Sequence, residues 1–512
     1  MERNILELNP SLKMCQSHII ENGQRLAHES FCGLNVSRVR QECHLSTSEW
    51  NVSSGHQPTL FHPGIYAKCI AAGAIAESVS GKAVHYIIDT DLPKEHRTYI
   101  PTNASSDQVL KMPLELEHEM FWGETPYTFL PKFNLNTLSD FFEKAQNDSG
   151  ILSQVKKGVQ FFKDDILKNI ERSSSWIGFH QKTLELLDQI VHQTRQFKLG
   201  TEMWQQTAFY MFLEYWVLHL EEWFEAYNQA LDQYRQREQI THAASPVPNL
   251  RKMDGWMEIP FWGVMHNQQR CHLFIQRAGE KFMMQVFETQ EMFQIQKKSS
   301  VLEWPIPVWP KAMTQTLFFR LYLTDYFIHG TGGKQYEEVN DIFFQLVFKK
   351  PRLHFGVATS TQEIAPGQLV KVQARMEQTR KMSAWYRRLT QNPEDLIFLA
   401  EKWGQEVPPV MGAQLSEVST HPRVVEYAFK KKQEVDKMKN PEWRKQAGEK
   451  IREYNQILLD ELKNSLAILH HECQDLELLM LEQDAFSFRE YPFFCYPPEV
   501  FVTMKQYLKE RA

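Results

Sequence analysis

Two histidines, His56 and His62, stand six residues apart in SSGHQPTLFHPGIYAK (Ser53–Lys68), with Gly55, Gln57 and Gly64 around them. Imidazoles can donate to phosphate oxygens and stabilise charge that develops during group transfer. A glycine such as Gly64 lets the backbone come close to a ligand. The natural place for that chemistry is a turn from a strand into a helix. A helix start presents unpaired N–H groups and the positive end of the dipole, which favour a phosphate or a carboxylate. A solvent loop with two ordinary histidines is the competing reading, and the flanking pattern has to decide between them.

Two further constellations carry chemistry. DTDLPKEHR (Asp89–Arg97) follows an apolar run, and it sets Asp89 and Asp91 ahead of Lys94, His96 and Arg97. Carboxylates at a strand end can bind a ribose hydroxyl, a substrate amine or magnesium. Asp-Thr-Asp alone is too sparse for a metal centre, and none is expected. FIHGTGGKQYEE (Phe327–Glu338) places Gly330, Gly332 and Gly333 before Lys334. Backbone amides of such a loop can wrap an anion, with the lysine as a point charge. It is not a Walker A loop, because Ile328 stands at the first glycine position and Gln335 at the Ser/Thr. His329 and Asp325 add polar atoms to this apolar stretch, although a tight turn between helices would read similarly. Cys495 has no histidine near it in sequence, so a nucleophilic role is not expected.

The elements that must position these groups follow from periodicity. Trp50-Asn51-Val52 reads as a short strand entering the first turn, IYAKCIAAGAIAESVS as a helix stopping at Gly81, and KAVHYIIDTD as a buried parallel strand. That succession is a βαβ unit. Residues 136–240 turn helical, with an aromatic stripe from Phe209 to Phe224 that reads as core packing. WMEIPFWGVM, QRCHLFIQR and KFMMQVFE alternate as an antiparallel meander, and PRLHFGVATS as one more strand. Residues 317–350 read as two helices around the glycine loop. The organisation expected is an α/β core in halves 1–135 and 241–420, split by a helical insertion at 136–240. A long helical hairpin at 421–485 and a tail at 486–512, packed on the core, complete it. Within the hairpin, Trp443, Ala447, Ile451, Tyr454, Leu458, Leu462, Leu466, Leu469, Cys473, Leu476 and Met480 form a heptad-like seam. Such a helix either packs along its own domain or makes a dimer coiled coil.

Composition narrows the function classes. The 512 residues are 42% hydrophobic, ample for two to four domains of roughly 100–200 residues. A net charge of −6 speaks against a general nucleic-acid binder. Seven scattered cysteines without a CxxC pair speak against a disulfide framework or a zinc ribbon. The N-terminus lacks a signal-peptide core, and no run of about 18 apolar residues offers a membrane span. The expectation is a cytoplasmic protein with no membrane and no nucleic-acid partner.

SGHQPTLFHPGIY resembles the GQQxGLxxGPLY turn of the bacillithiol-synthesis cysteine ligases (cysteine-adding enzymes), with Gly55, Gln57, Leu60 and Tyr66 in register. AVHYIIDTD resembles that family's next strand and puts Asp91 on a family acid. FIHGTGGKQYEEV resembles its later glycine turn in general position, and the long C-terminal helices resemble its coiled coil. The resemblance implies a Rossmann-like core of the nucleotidyltransferase type, split by helical segments, and a homodimer through the C-terminal helices. There are departures. His56 replaces a glutamine, His-Pro-Gly replaces Gly-Pro, and Lys68 is displaced from the family's helix lysine. The HxGH signature of adenylyl transferases is incomplete too, with Ile65 in place of its second histidine.

The function expected is a ligase or nucleotidyl-type transferase acting on a small phosphorylated or carboxylated metabolite, with ATP or another nucleotide as the implied cofactor. His56, Gln57 and His62 would orient the anionic group, and Asp89 and Asp91 would hold an amine or hydroxyl partner. Gly332, Gly333 and Lys334, with His329 and Gly330, would close over a second phosphate or carboxylate. A non-catalytic ligand-binding or coiled-coil scaffold protein is the alternative. The sequence leaves the general base unassigned.

Overall fold

A computed structural model describes residues 6–510 except 94–96, 106–107, 116–124, 132–133, 148–150, 280, 299–300, 401, 403–405 and 408. The chain forms two compact units. One comprises Met1–Ile100, Met112–Glu363 and Arg489–Ala512, the other Pro101–Lys111 and Ile364–Phe488.

The strands that organise the first unit are, in chain order, β1 (Leu6–Asn9), β2 (Asn51–His56), β3 (Lys82–Ile87), β4 (Gln196–Leu199), β5 (Trp256–Val264), β6 (Arg270–Ala278), β7 (Lys281–Val286), β8 (Met292–Lys298), β9 (Val301–Glu303), β10 (Val308–Pro310), β11 (Tyr326–His329) and β12 (Phe355–Ser360). Six of them form a mixed sheet in the order β1-β12-β11-β2-β3-β4. All its neighbours are parallel except the edge strand β1, which runs antiparallel to β12. The chain is thus a mixed α/β protein. β3 and β11 are buried along most of their length, which is why both read as apolar runs rather than alternating strands.

Helix α1 (Pro63–Ser78) crosses from β2 to β3, and helix α2 (Thr331–Phe348) crosses from β11 to β12. His62 caps α1 and Pro63 occupies its first turn, where a missing N–H does no harm. One side of α1 lies on β2, β3, β11 and β12, and the C-terminal helix Glu499–Glu510 also packs on it. Twelve of its sixteen residues, Lys68 among them, are buried.

The second sheet is the expected meander. It runs β9-β8-β7-β6-β5-β10 with antiparallel neighbours. Phe209, Phe212, Trp216, Trp223 and Phe224 of the aromatic stripe pack in the core.

Two readings of the sequence need correction here. Residues 317–350 are not two helices around a loop. Helix Ala312–Phe318 passes into a π-helical turn, Phe319–Leu323, and the chain then enters β11 before α2. Four consecutive buried residues cannot be told from buried helix by periodicity. What fixes the strand is tertiary. Asp325 N–H donates to Asn51 O at 2.8 Å, Asn51 N–H donates to Asp325 Oδ2 at 2.7 Å, and Arg40 pairs with Asp325 at 2.9 Å. In addition, the helical block 136–240 contains β4, a strand of the main sheet.

In the second unit, α3 (Pro366–Gln391), α4 (Pro422–Lys437), α5 (Arg444–Cys473) and α6 (Leu476–Ser487) dominate. Leu458, Leu462 and Leu469 of the seam pack on Met382, Trp385 and Leu389 of α3 and on Val424 and Ala428 of α4. The seam is not one continuous helix, because it breaks at Gln474-Asp475. Its outer members Trp443 and Met480 are about half exposed. Among the described residues, no helix is long and apolar enough to cross a membrane.

Candidate active site

β2 and β11 are neighbours, but their crossovers leave in opposite directions, β2 toward β3 and β11 toward β12. At such a switch in strand order the two following turns splay apart, and the crevice beyond the carboxyl ends is where ligands bind in α/β sheets. Here it is a cleft of about 780 Å³. The turn after β2 contributes Gly55, His56, Gln57, His62 and Gly64. The turn after β11 contributes His329, Gly330, Gly332 and Gly333, and the end of β3 contributes Asp91. Ten of the twelve residues singled out from sequence therefore line one cavity, although its two glycine turns are some 270 residues apart in the chain.

The other two do not reach it. Asp89 is 1% exposed. Its Oδ1 accepts from Thr201 N–H at 2.9 Å and its Oδ2 from the Thr201 hydroxyl at 2.5 Å. It ties the end of β3 to the turn after β4, and burial pushes its carboxyl up. Lys334 is on the fourth residue of α2, so helical geometry turns it out to solvent, 3.4 Å from Glu338. Lys94 and His96 lie outside the described residues.

The first turn is pinned from outside. Trp176 Nε1 donates to Pro58 O at 2.5 Å and Phe493 N–H donates to Phe61 O at 2.7 Å. Two glycines are there for close approach. A Cβ on Gly64 would lie 2.8 Å from Ser360 O, and one on Gly333 would lie 2.7 Å from His329 Nδ1.

Hydrogen bonds assign the two imidazoles opposite roles. His62 Nδ1 accepts from Gly64 N–H at 3.1 Å, so its proton is on Nε2 and the ring has only a donor left for a ligand. Burial, aided by Arg489, lowers it to about 4. His56 Nδ1 is 2.9 Å from Gln57 O. A carbonyl only accepts, so Nδ1 carries the proton and Nε2 keeps its lone pair. Burial and nearby Lys68 hold His56 well below the usual imidazole range. Asp91 is committed as a brace. It accepts from Gln57 Nε2 at 2.7 Å, Leu92 N–H at 2.9 Å and Arg270 Nη1 at 3.1 Å.

Beneath the second turn, His329 Nε2 is 3.1 Å from Glu337 Oε1. Glu337 pairs with Arg320, which also holds Asp341 at 2.7 Å. Burial alone would raise Glu337, but Arg320 and His329 pull it down to about 2. Burial in turn lowers His329.

Sequence reasoning missed most of the cleft's charge. Lys68, Arg251, Arg270, Lys311 and Arg489 line it, against the carboxylates of Asp91 and Glu258. Glu258 is taken by Arg251 at 2.7 Å and Lys311 at 2.6 Å. Arg270 and Lys311 approach the Trp262 ring at 4.7 and 4.5 Å, within cation–π range. Among the described residues, Arg251 Nη2 and Arg270 Nε are buried with no hydrogen-bond partner. Lys68 is 6% exposed, and its Nζ donates to Gly55 O at 2.6 Å. Buried donors and cations of this kind are costly until an acceptor arrives, and the cleft sets five cations against two carboxylates. Among the described residues, no group of three or more His, Cys, Asp or Glu could hold a metal ion. No protein-family model and no curated protein matches the chain.

Proposed function

We propose that the chain is a ligase or transferase of the cysteine-ligase type acting on a small phosphorylated or carboxylated metabolite. The observation that carries this is the cation excess of the cleft at the β2/β11 switch, above all the buried Lys68 beside the donor-only His62. In this reading Lys68, His62 Nε2–H and the open N–H groups at the start of α2 hold the anion. The Gln57–Asp91–Arg270 brace fixes the opposite wall. His56 Nε2 accepts the proton of the attacking amine or hydroxyl. Positioning and electrostatics supply most of the rate. ATP or another nucleotide is the donor class, within a Rossmann-like core of the nucleotidyltransferase type, and a cytoplasmic homodimer forms through the C-terminal helices.

A binding protein without turnover is the second reading, favoured by the low basicity of His56 and His62. Thermal unfolding in the presence of ATP, sugar phosphates and amino acids tests the anion site. A ligand at a hundred times its Kd stabilises by about 2.7 kcal/mol, and no shift with any of these compounds overturns the proposal. Turnover of the stabilising ligand then separates enzyme from binder.

A further inference from the structure

We infer that the ligand's anionic group is a phosphate and that Lys68 is its counter-ion, taking up a proton as the anion seats. This rests on the anionic-substrate reading above and adds the ligand class and a proton linkage to it.

Lys68 lies on a helix that is buried along most of its length and has no solvent face nearby. Among the described residues its one hydrogen bond is to a carbonyl, Gly55 O. The other four charged groups of the cleft that are cations include three with an acid partner: Arg251 and Lys311 have Glu258, and Arg270 has Asp91. Among the described residues no carboxylate lies within 4.0 Å of Lys68 Nζ. The groups that act on it or are acted on by it are His56 and His62 on the first turn, His85 on β3, His329 on β11, and Cys69 on its own helix. Burial lowers all four histidines toward the neutral form, and an imidazole, neutral or protonated, has no negative charge to balance the ammonium.

The desolvated ammonium is therefore left to a ligand. Burial brings Lys68 to about 8, so near that pH about half the molecules lack the proton. An anion at Nζ favours the charged form and draws the proton in. The donors come from three directions: the Lys68 ammonium on α1, His62 Nε2–H at the cap of α1, and the uncapped start of α2 at Gly330. Three separate donor groups lining one cleft suit the three terminal oxygens of a phosphate better than the two of a carboxylate.

Isothermal titration with sulfate tests this, because sulfate is a tetrahedral dianion that does not itself titrate near pH 8. Acetate is the carboxylate comparison, and each titration is run in buffers of different ionisation enthalpy. The expected result at pH 8 is sulfate binding with uptake of about half a proton. In Lys68→Met, binding is at least tenfold weaker and the uptake is gone. Sulfate binding without proton uptake, or uptake that survives in Lys68→Met, overturns the inference and leaves the anion site standing. Acetate binding tighter than sulfate overturns the phosphate assignment. No binding of either anion overturns the anionic-substrate reading itself.

Discussion

Replacing Lys68 by methionine should make the protein more stable at neutral pH, with a pH dependence that identifies the cause. Burial lowers the ammonium from an ordinary 10.5 to about 8. At about 1.4 kcal/mol for each tenfold change in the protonation equilibrium, keeping it charged in the folded state at pH 7 costs about 3 kcal/mol. Methionine fills a similar volume without charge, but it leaves Gly55 O without its donor, a loss of about 1 kcal/mol. The variant should then be more stable by about 2 kcal/mol at pH 7. The sign with pH follows from proton counting. Below pH 8 the lysine is protonated in both folded and unfolded chains, and the penalty is fully present. Between about 8 and 10.5 the unfolded chain binds more protons than the folded one, so the wild type gains stability as pH rises. The advantage of the variant should shrink to about 1 kcal/mol at pH 9 and vanish near pH 10. Urea unfolding followed by tryptophan fluorescence, for both proteins across pH 7 to 10, measures this. A variant less stable at pH 7, or a difference that does not change with pH, would refute the picture of a buried cation awaiting its anion.

Three further outcomes are expected. His62→Ala should lose the cap on Gly64 N–H and about 1 kcal/mol in thermal unfolding, whereas His62→Asn should keep the cap. Both should lose sulfate binding, because neither side chain carries the Nε2–H. Arg320→Met should take the shared guanidinium from the buried carboxylates of Glu337 and Asp341, leaving them His329 at 3.1 Å and Arg352 at 3.6 Å, and destabilise by about 3 kcal/mol in urea. In the wild type the Glu337 contribution should be complete above pH 4.5 and fade as pH falls through about 2, which acid titration of the urea midpoint reads out. Gly64→Ala should lower stability by about 1–3 kcal/mol, since its Cβ would meet backbone at Ser360 O, while Gly330→Ala, with nothing within 4 Å, should be close to neutral.

What was legible in the sequence depended on how local the signal was. The first turn could be read because its strand, its His-Pro-Gly start and its alanine-rich helix are contiguous, each with its own pattern. The second turn could be read as glycine-rich and polar, but not as a strand end. Tyr326–His329 is short and buried throughout, and it is set in place by Asn51 and Arg40, nearly 300 residues earlier in the chain. Once β11 is a strand, the glycines become the first turn of a helix, and that alone sends Lys334 outward. Asp89 and Asp91 look equivalent in DTD. The strand ends at Ile87 and the chain turns at 89–90, which breaks the alternation that would put i and i+2 on one face, so one braces the cleft and the other anchors the turn after β4. The heptad seam failed at its ends for a similar reason, since α3, the partner of its buried middle, carries no sharp pattern of its own.

The cations of the far wall were not legible, because Arg251, Arg270 and Lys311 come from ordinary strand and loop contexts and meet only through the meander. Lys68 is different. Ile65–Ala76 contains one charge in an otherwise apolar run. A helix that is apolar on every side is expected to be buried all round, and a lysine in it has no solvent face to reach. Such a charge must turn to a cavity or a partner, or be neutralised. Carried one step further, the composition of α1 alone points to a polar hollow at the carboxyl end of β2. The structure adds that, among the described residues, the hollow offers Lys68 a carbonyl and imidazoles in place of a carboxylate, which is the charge imbalance that the proposed anion would relieve.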